Sequence, residues 1–427
     1  MPFQVSPGVN ITETDLTTVI PNVATSIGAI AGSFQWGPVM ERTIITRESE
    51  LLRVFGKPND DTARTWFVAS NYLAYSNNLI VVRNVLDTAR NAVVGMAQAG
   101  TPIRVDNGEG TTNSYDVRYS NMTDQLYVAK YPGALGNSLA IHAIDKHGWD
   151  VAAGKDANVR TTEETWFIKN FDRAPGTSTD VGNSGGSNDE MHVIIVDEDG
   201  LWTGQPGDIL ERHAFVSKAS DAKRIDGSSN YVKNVLATQS AYCWLGDVEQ
   251  LTINSVAAGA DAGSTKAGSA FKLFDSATLI ETTPGGSLTG GTVGSQTDVL
   301  TASELEIGYD LYREPSVVDF NIIMGGEGNT QVGRHIVDNI ADIRKDCVAC
   351  ISPNMSSVVN AGTAQIANLK ADNIALGSSS YAIMDSAYKY QYDQYNDVFR
   401  YIAMNGDMAG LCARTDYTHD TWWSPAG

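Results

Sequence analysis

Three places in this 427-residue chain carry residue types at spacings that chemistry uses. Gly325-Gly326-Glu327-Gly328 lies between a predicted strand and a predicted helix, where backbone N–H groups could cradle a phosphate. The dinucleotide pattern needs a further glycine three residues on, where Gln331 stands, and no P-loop Gly-Lys-Ser/Thr occurs. A plain strand-to-helix turn is the favoured reading. Cys347 and Cys350 have redox or zinc spacing, but no second Cys/His pair lies near, and residues three apart on a strand face opposite sides. That favours two buried structural thiols. Tyr388, Tyr390 and Tyr392 share one face of a predicted strand by period two, and the tyrosine-rich stretch Tyr388 to Tyr401 offers a surface on which sugars or bases could stack. Cross-strand packing plus an interface is favoured over it.

The remaining candidates do not converge. His142, His147, His192, His213, His335 and His419 are scattered, with none at the i, i+4 spacing of a helical metal site, and no Gly-x-Ser-x-Gly elbow is present. Asp197-Glu198-Asp199-Gly200 lacks the spaced oxygens of a calcium loop and reads as a hairpin turn joining a strand over residues 192–196 to Leu201-Trp202. No nucleophile, base and oxyanion hole assemble. The expectation is a non-enzyme without cofactor or metal.

Composition narrows the partners. Lys plus Arg is 30 against 50 for Asp plus Glu, a net charge of −20, the wrong sign for neutralising phosphates, so nucleic acid is not expected as main partner. Four cysteines are too few for a disulfide framework and suggest a reducing compartment. The N-terminal residues have neither a basic region nor an apolar core, and no apolar run approaches the roughly 18 residues of a span. A soluble, unprocessed chain without membrane insertion is expected.

The elements that would position these residues alternate in type. Residues 25–34 read as a buried strand closed by Trp36-Gly37-Pro38. A helix follows near 51–55, then one capped by Asp61 with Trp66, Ala69 and Leu73 on one face, and a strand over 79–85. That α/β rhythm stops near Asp87 and resumes near Thr301. Between them, residues 116–120, 125–129, 138–144, 165–169 and 192–197 read as short strands, with loops at 176–187 and 284–295. Thr301 and Glu304 stand at capping-box spacing ahead of Leu305, Tyr309 and Tyr312. A strand at 317–324 follows, then a helix opened by Asn329 or Thr330 and carrying Val332, Ile336, Ile340 and Ile343. After it come a strand at 347–352, a helix over 358–369, strands at 381–384 and 388–392, and a short helix at 408–413.

The fold class expected is therefore α/β, mixed and multidomain. A core domain is built from residues 22–86 and 300–427, with a β-rich domain of residues 87–299 inserted between them. Residues 1–21 read as an extended arm. Over 9–20, Val9, Ile11, Leu16 and Val19 lie among β-branched and polar residues, with Glu13 and Asp15 as its charges, and its backbone must bond water, its own domain or a neighbouring chain.

Several motifs resemble a known family. Ser6-Pro7-Gly8-Val9, Gly32-Ser33-Phe34-Gln35-Trp36-Gly37-Pro38, Phe55-Gly56-Lys57-Pro58 and Tyr131-Pro132-Gly133-Ala134-Leu135-Gly136-Asn137 are similar to the tail sheath proteins of contractile-tailed bacteriophages. So, more closely, are Tyr388-Lys389-Tyr390-Gln391-Tyr392-Asp393-Gln394-Tyr395-Asn396-Asp397-Val398, Gly410-Leu411-Cys412-Ala413-Arg414-Thr415-Asp416 and Ser424-Pro425-Ala426-Gly427. The motifs run in order from residue 6 to 427, so the resemblance covers the whole chain.

The resemblance implies a virion subunit, assembled in the host cytoplasm. It would stack in hexameric rings around a tail tube, between baseplate and tail terminator, and exchange strands with its neighbours. Contraction would drive the tube through the host envelope for genome ejection. No nucleotide is consumed in such a device, whose work comes from two packings of the same subunits. Interface candidates are the arm residues above together with Tyr388, Lys389, Tyr390, Tyr392 and Arg414.

Two departures stand out. Larger family members carry an outward domain between the equivalents of Val85 and Tyr131, which only 45 residues separate here, so that domain is expected to be absent. The family also continues past its Ser-Pro-Ala-Gly motif into a tube-facing domain, which this chain is expected to lack. The competing readings are a nucleotide-binding α/β protein using Gly325 to Gly328, and a glycan-binding tail protein using the tyrosine face.

Overall fold

The computed structural model describes residues 26–95, 100–109, 112–122, 124–152, 169–246, 260–271, 285–294, 300–419 and 422–425. The expected arm, with Val9, Ile11, Glu13, Asp15, Leu16 and Val19, lies outside them, as does nearly all of the strand expected at 165–169.

The fold is mixed α/β. The first strands are β1 (Gly28–Gly32), β2 (Arg42–Ile45) and β3 (Leu79–Arg83). Strands β1 and β3 are continuous apolar runs, buried throughout, and pair in parallel across the helix Ala63–Leu73, as strands covered on both faces do. That helix packs so closely that a Cβ on Gly28 would stand 2.5 Å from the Tyr72 ring. Its start differs from expectation. Asn59 Oδ1 accepts the Thr62 and Asp61 N–H groups at 2.8 and 3.1 Å, so an Asx turn after Pro58 sets the entry and Thr62, not Asp61, is the N-cap.

The middle of the chain supplies β4 (Val93–Gly95), β5 (Gln125–Ala129), β6 (Leu139–Asp145), β7 (Glu190–Asp197), β8 (Asp208–Ser217), β9 (Cys243–Leu245) and β10 (Gly285–Ser287). They form two antiparallel sheets, β4-β5-β9 and β10-β6-β7-β8, around a common core. Two expectations are corrected here. Residues 116–120 are not a strand. They fall in a helical turn, Tyr115–Arg118, and the 3-10 turn after it, because Tyr115 stacks on Trp244 at 4.4 Å and its hydroxyl donates to Leu245 O at 2.7 Å. Tertiary packing overrides β propensity. Nor does Asp197 open a tight hairpin. Its carboxylate accepts from Trp202 N at 2.9 Å, Thr203 N at 2.8 Å and Ser138 Oγ at 2.7 Å, so it staples a longer loop and the partner strand β8 begins at Asp208. The 176–187 loop, in turn, holds a short helix, Thr179–Asn183, capped by Ser178.

The last part adds β11 (Ile322–Met324), β12 (Val348–Ile351), β13 (Ala382–Met384), β14 (Tyr388–Asp393) and β15 (Val398–Ala403). One six-stranded sheet, ordered β13-β12-β11-β1-β3-β2, thus takes strands from both ends of the chain, parallel except for β2. Alternation sends Ala29, Ala31, Ile323 and Ile351 to one core and Ile30, Val81, Met324 and Cys350 to another on the opposite face. The capping box at Thr301 and Glu304 forms, with the carboxylate accepting the Thr301 N–H at 2.7 Å, and Leu305, Tyr309 and Tyr312 are buried. Strand β11 is shorter than the 317–324 expected.

The helix Thr330–Ile336 is capped by Asn329 and runs into a π turn, Val337–Ala341. The extra residue in that turn rotates the register, so Val332, Ile336 and Ile340 are buried while Ile343 faces solvent. The helix expected at 358–369 is displaced to Gln365–Leu376, because Asn360 and Gly362 adopt positive φ of 59° and 56° and interrupt it. The final helix is longer than expected, Asn405–Thr418.

Candidate interaction surfaces and the glycine loop

Gly325 to Gly328 follow β11 where the sheet order reverses, beside β1, the position at which open α/β sheets bind ligands. Here the groups that would bind a phosphate are already engaged. Asn329 Oδ1 accepts the Gln331 and Val332 N–H groups at 3.0 and 3.3 Å, and Asn354 Oδ1 accepts that of Thr330 at 3.2 Å. The loop's carbonyls are met as well, with Asn405 Nδ2 donating to Gly326 O at 2.9 Å. A Cβ on Gly328 would stand 1.9 Å from the Tyr388 hydroxyl, which donates to Pro353 O at 2.7 Å. An adjacent cleft of about 450 Å³, lined by Arg64, Glu327 and Asn354, presents a carboxyl whose affinity for its proton is raised by burial. The geometry is a strand-to-helix turn whose backbone groups are taken up by Asn329, Asn354, Tyr388 and Asn405.

Cys347 and Cys350 are both buried, one in each core, as opposite faces of a strand require. Burial pushes the Cys347 thiol up to about 12 and raises Cys350 further still. His335 is a boundary residue whose Nε2 lies 2.9 Å from Asp310 Oδ1. Among the described residues no group of three or more His, Cys, Asp or Glu side chains could hold a metal ion, and no helix is long and apolar enough to cross a membrane.

The tyrosine strand is half of a hairpin. Strands β14 and β15 pair antiparallel with Tyr390 opposite Tyr401 and Tyr392 opposite Phe399. One face is anchored: Lys389 Nζ binds Asp407 at 2.8 Å, and Arg400 spans Asp393 and Asp60 at 2.8 and 2.6 Å. Beyond it, the Tyr395 ring meets Trp66 edge-on at 5.1 Å. Along the other face Tyr388 packs against the core, whereas Tyr390 and Tyr392 are exposed and continue into Phe399 and Tyr401, with Tyr390 stacked on Phe399 at 5.1 Å. Lys389 is thus a locally paired charge, while Arg414 is exposed on the last helix. Phe399 and Tyr401, within the tyrosine-rich stretch and two residues apart, complete that face from the opposing strand, which is the cross-strand aromatic packing expected.

A second convergence joins the family-like motifs themselves. The buried Arg83 guanidinium donates to Phe34 O at 2.8 Å, Gly37 O at 2.9 Å, Gln35 O at 3.1 Å and Pro132 O at 2.7 Å. Trp36 lies edge-on to Tyr131 at 5.4 Å and to Trp202 at 4.9 Å, and Gln35 Nε2 donates to Lys57 O at 3.0 Å. Three motifs far apart in the chain thereby form one joint between the six-stranded sheet and the β-rich part.

Along 99% of its length the chain is similar to the tail sheath proteins of Vibrio phage KVP40, Enterobacteria phage T4 and Salmonella phage ViI, at 26%, 28% and 26% identity. It spans 75%, 74% and 72% of those relatives. The aligned stretches of 510, 502 and 488 residues exceed the 427 of this chain, so each relative carries additional residues within the matched region. No protein-family model matches. Among solved structures, the sheath tail proteins from Listeria innocua and Desulfitobacterium hafniense align over 93% and 96% of this chain at 10% and 11% identity, with TM-scores of 0.42 and 0.41. The chain spans 57% and 62% of those two, less than two thirds of their length. The similarity to the three named relatives thus extends beyond the motifs to 99% of the chain.

Proposed function

We propose that this chain, a relative of phage tail sheath proteins along 99% of its length, is itself a structural subunit of a contractile tail sheath. The observation that carries the reading is that these three curated relatives are each named tail sheath protein. Copies stack as hexameric rings around the tail tube, between baseplate and terminator, in a virion assembled in the host cytoplasm. The stack contracts to drive the tube through the host envelope, without catalysis or cofactor.

A bistable assembly needs rigid bodies whose interfaces repack as units, since close-packed interiors do not deform continuously. The Arg83 joint supports this, because the guanidinium that holds the Phe34 to Gly37 turn also donates to Pro132 O, and Trp36 meets Tyr131 and Trp202 beside it, tying the sheet to the β-rich part. In this reading residues 22–86 and 300–427 are the core domain, residues 87–299 the insertion, and residues 1–21 an arm that a neighbour accepts. Among the described residues the six-stranded sheet ends at β2 and β13, where a donated strand could pair. Val9, Ile11, Glu13, Asp15, Leu16, Val19, Tyr388, Tyr390, Tyr392 and Arg414 are the proposed subunit contacts. Lys389 acts from beneath, holding the hairpin through Asp407.

Negative-stain microscopy of the purified chain with added tail tubes tests the proposal. Rings or tube decoration support it. Compact particles that leave the tubes bare, at every concentration tried, overturn it.

A further inference from the structure

The core layers that flank the six-stranded sheet each end in an exposed apolar patch, and the two patches lie on opposite sides of the domain. On one side the helix Gln365–Leu376 packs through Leu376 into the core that contains Val332 and Ile351. Its outer face carries Ile366, Lys370 and Ile374 at i, i+4 and i+8, a single stripe, with the isoleucines 69% and 78% exposed. On the other side the hairpin β14–β15 packs through Tyr388 and Ile402 into the core that contains Ile30 and Cys350. Its outer face is the aromatic ladder, with Tyr390 60% and Phe399 57% exposed. Isolated surface apolar residues need no explanation, but the four-ring ladder is a contiguous patch of the kind that marks an interface, and the helix on the other side presents two isoleucines flanking a lysine on one face.

We propose that these patches are the two halves of one heterologous interface, the isoleucine stripe of one copy lying along the aromatic ladder of the next. The inference rests on the sheath reading and specifies the surface by which copies meet. Charge complementarity identifies the occupant. Lys370 stands between the two isoleucines, and the ladder presents tyrosine rings together with Asp397, an exposed carboxylate that already accepts the Tyr392 hydroxyl at 2.7 Å. An ammonium flanked by alkyl groups suits a surface of aromatic faces beside a carboxylate. Spacing agrees too: Lys370 and Ile374 stand about 6 Å apart along the helix, and Tyr390 and Tyr392 about 7 Å apart along the strand. Because the patches differ and face opposite ways, each copy can donate one and accept the other. Such contacts propagate into rings or helices and do not close as two-fold dimers.

The test pairs two exposed positions. A chain carrying Lys370→Cys and a chain carrying Asp397→Cys are mixed and mildly oxidised, with the parent chain and its four native cysteines setting the background. The expected result is a linked dimer in the mixture only, lost when Ile374→Glu is added to the first chain or Tyr390→Glu to the second. No link in the mixture overturns the pairing, and so does a link formed by either variant alone, which would indicate a two-fold contact or another occupant. Tube decoration is scored on the same samples. Decoration without the link overturns only this pairing, whereas the link with neither rings nor decoration upholds it and removes the sheath reading.

Discussion

Arg83 donates from Nη2 to the carbonyl of Pro132 at 2.7 Å, which ties the last residue of a central sheet strand to a turn of the β-rich part 49 residues later. The same guanidinium serves three carbonyls of the Phe34 to Gly37 turn, so one buried cation satisfies four backbone acceptors. The planar fork of arginine can do this. A lysine ammonium, with three donors on a flexible stem, cannot reach the same set.

Replacing Arg83 with Met should therefore cost about 3 kcal/mol or more, since buried acceptors are left without donors. Arg83→Lys should recover only a minor part. Urea unfolding of the two variants checks this, and midpoints matching that of the parent chain would show that water replaces the guanidinium without loss.

What was legible in the sequence was local. The Thr301 and Glu304 capping box, the Asn329 cap and the opposed burial of Cys347 and Cys350 each depend on residues within a turn or on strand alternation, and each forms. What was not legible depended on distant partners. Nothing in the sequence around Arg83 shows that it binds carbonyls 46 to 49 residues away, because carbonyls leave no residue-type signature. Asp197 looked like a turn residue, yet its carboxylate organises a ten-residue loop through Ser138, on another strand connection. The π turn at Val337 to Ala341 was invisible for a related reason: a helical repeat read at 3.6 residues per turn gives no warning of an inserted residue. Of the candidate site, the Tyr390 and Tyr392 face was readable by alternation, but its exposure depended on how the hairpin packs through Lys389 and Arg400.

His192 gives the β-rich part a calculable response to acid. Its Nδ1 accepts the Phe215 N–H at 3.1 Å while Nε2 faces Arg173 O at 3.0 Å, an arrangement that requires the neutral ring with its proton on Nε2. Burial lowers its pKa from 6.5 to about 4. The unfolded chain therefore takes up this proton first on acidification. Stabilisation is complete above pH 6.5 and is lost as pH falls toward 4, about 3 kcal/mol in all. A His192→Phe variant should be less stable than the parent at pH 7.5, and its urea midpoint should fall less steeply between pH 7 and pH 4.5. Parallel pH profiles would show that the ring is not held neutral.

Asp385 works in the opposite sense, at the point where the sheet hands over to the aromatic hairpin. Its carboxylate accepts from Ser352 Oγ and from the Ala387 N–H, and Ser352 Oγ in turn accepts from Asn405, so the group lies in the network that closes the glycine loop. Burial raises its pKa from 3.8 to about 6, with the charge of Asp407 acting in the same direction. The folded chain holds this proton where the unfolded chain has released it. The stabilisation is thus present below pH 3.8 and lost as pH rises through 6, about 3 kcal/mol across that window. An Asp385→Asn variant has no such proton to lose. The parent should accordingly lose about 2.4 kcal/mol relative to the variant between pH 4 and pH 7.5, a difference from which His192 cancels because both chains contain it. A constant difference across that range would mean that Asp385 is ionised throughout, and that the junction beneath the aromatic ladder is wetter than its packing indicates.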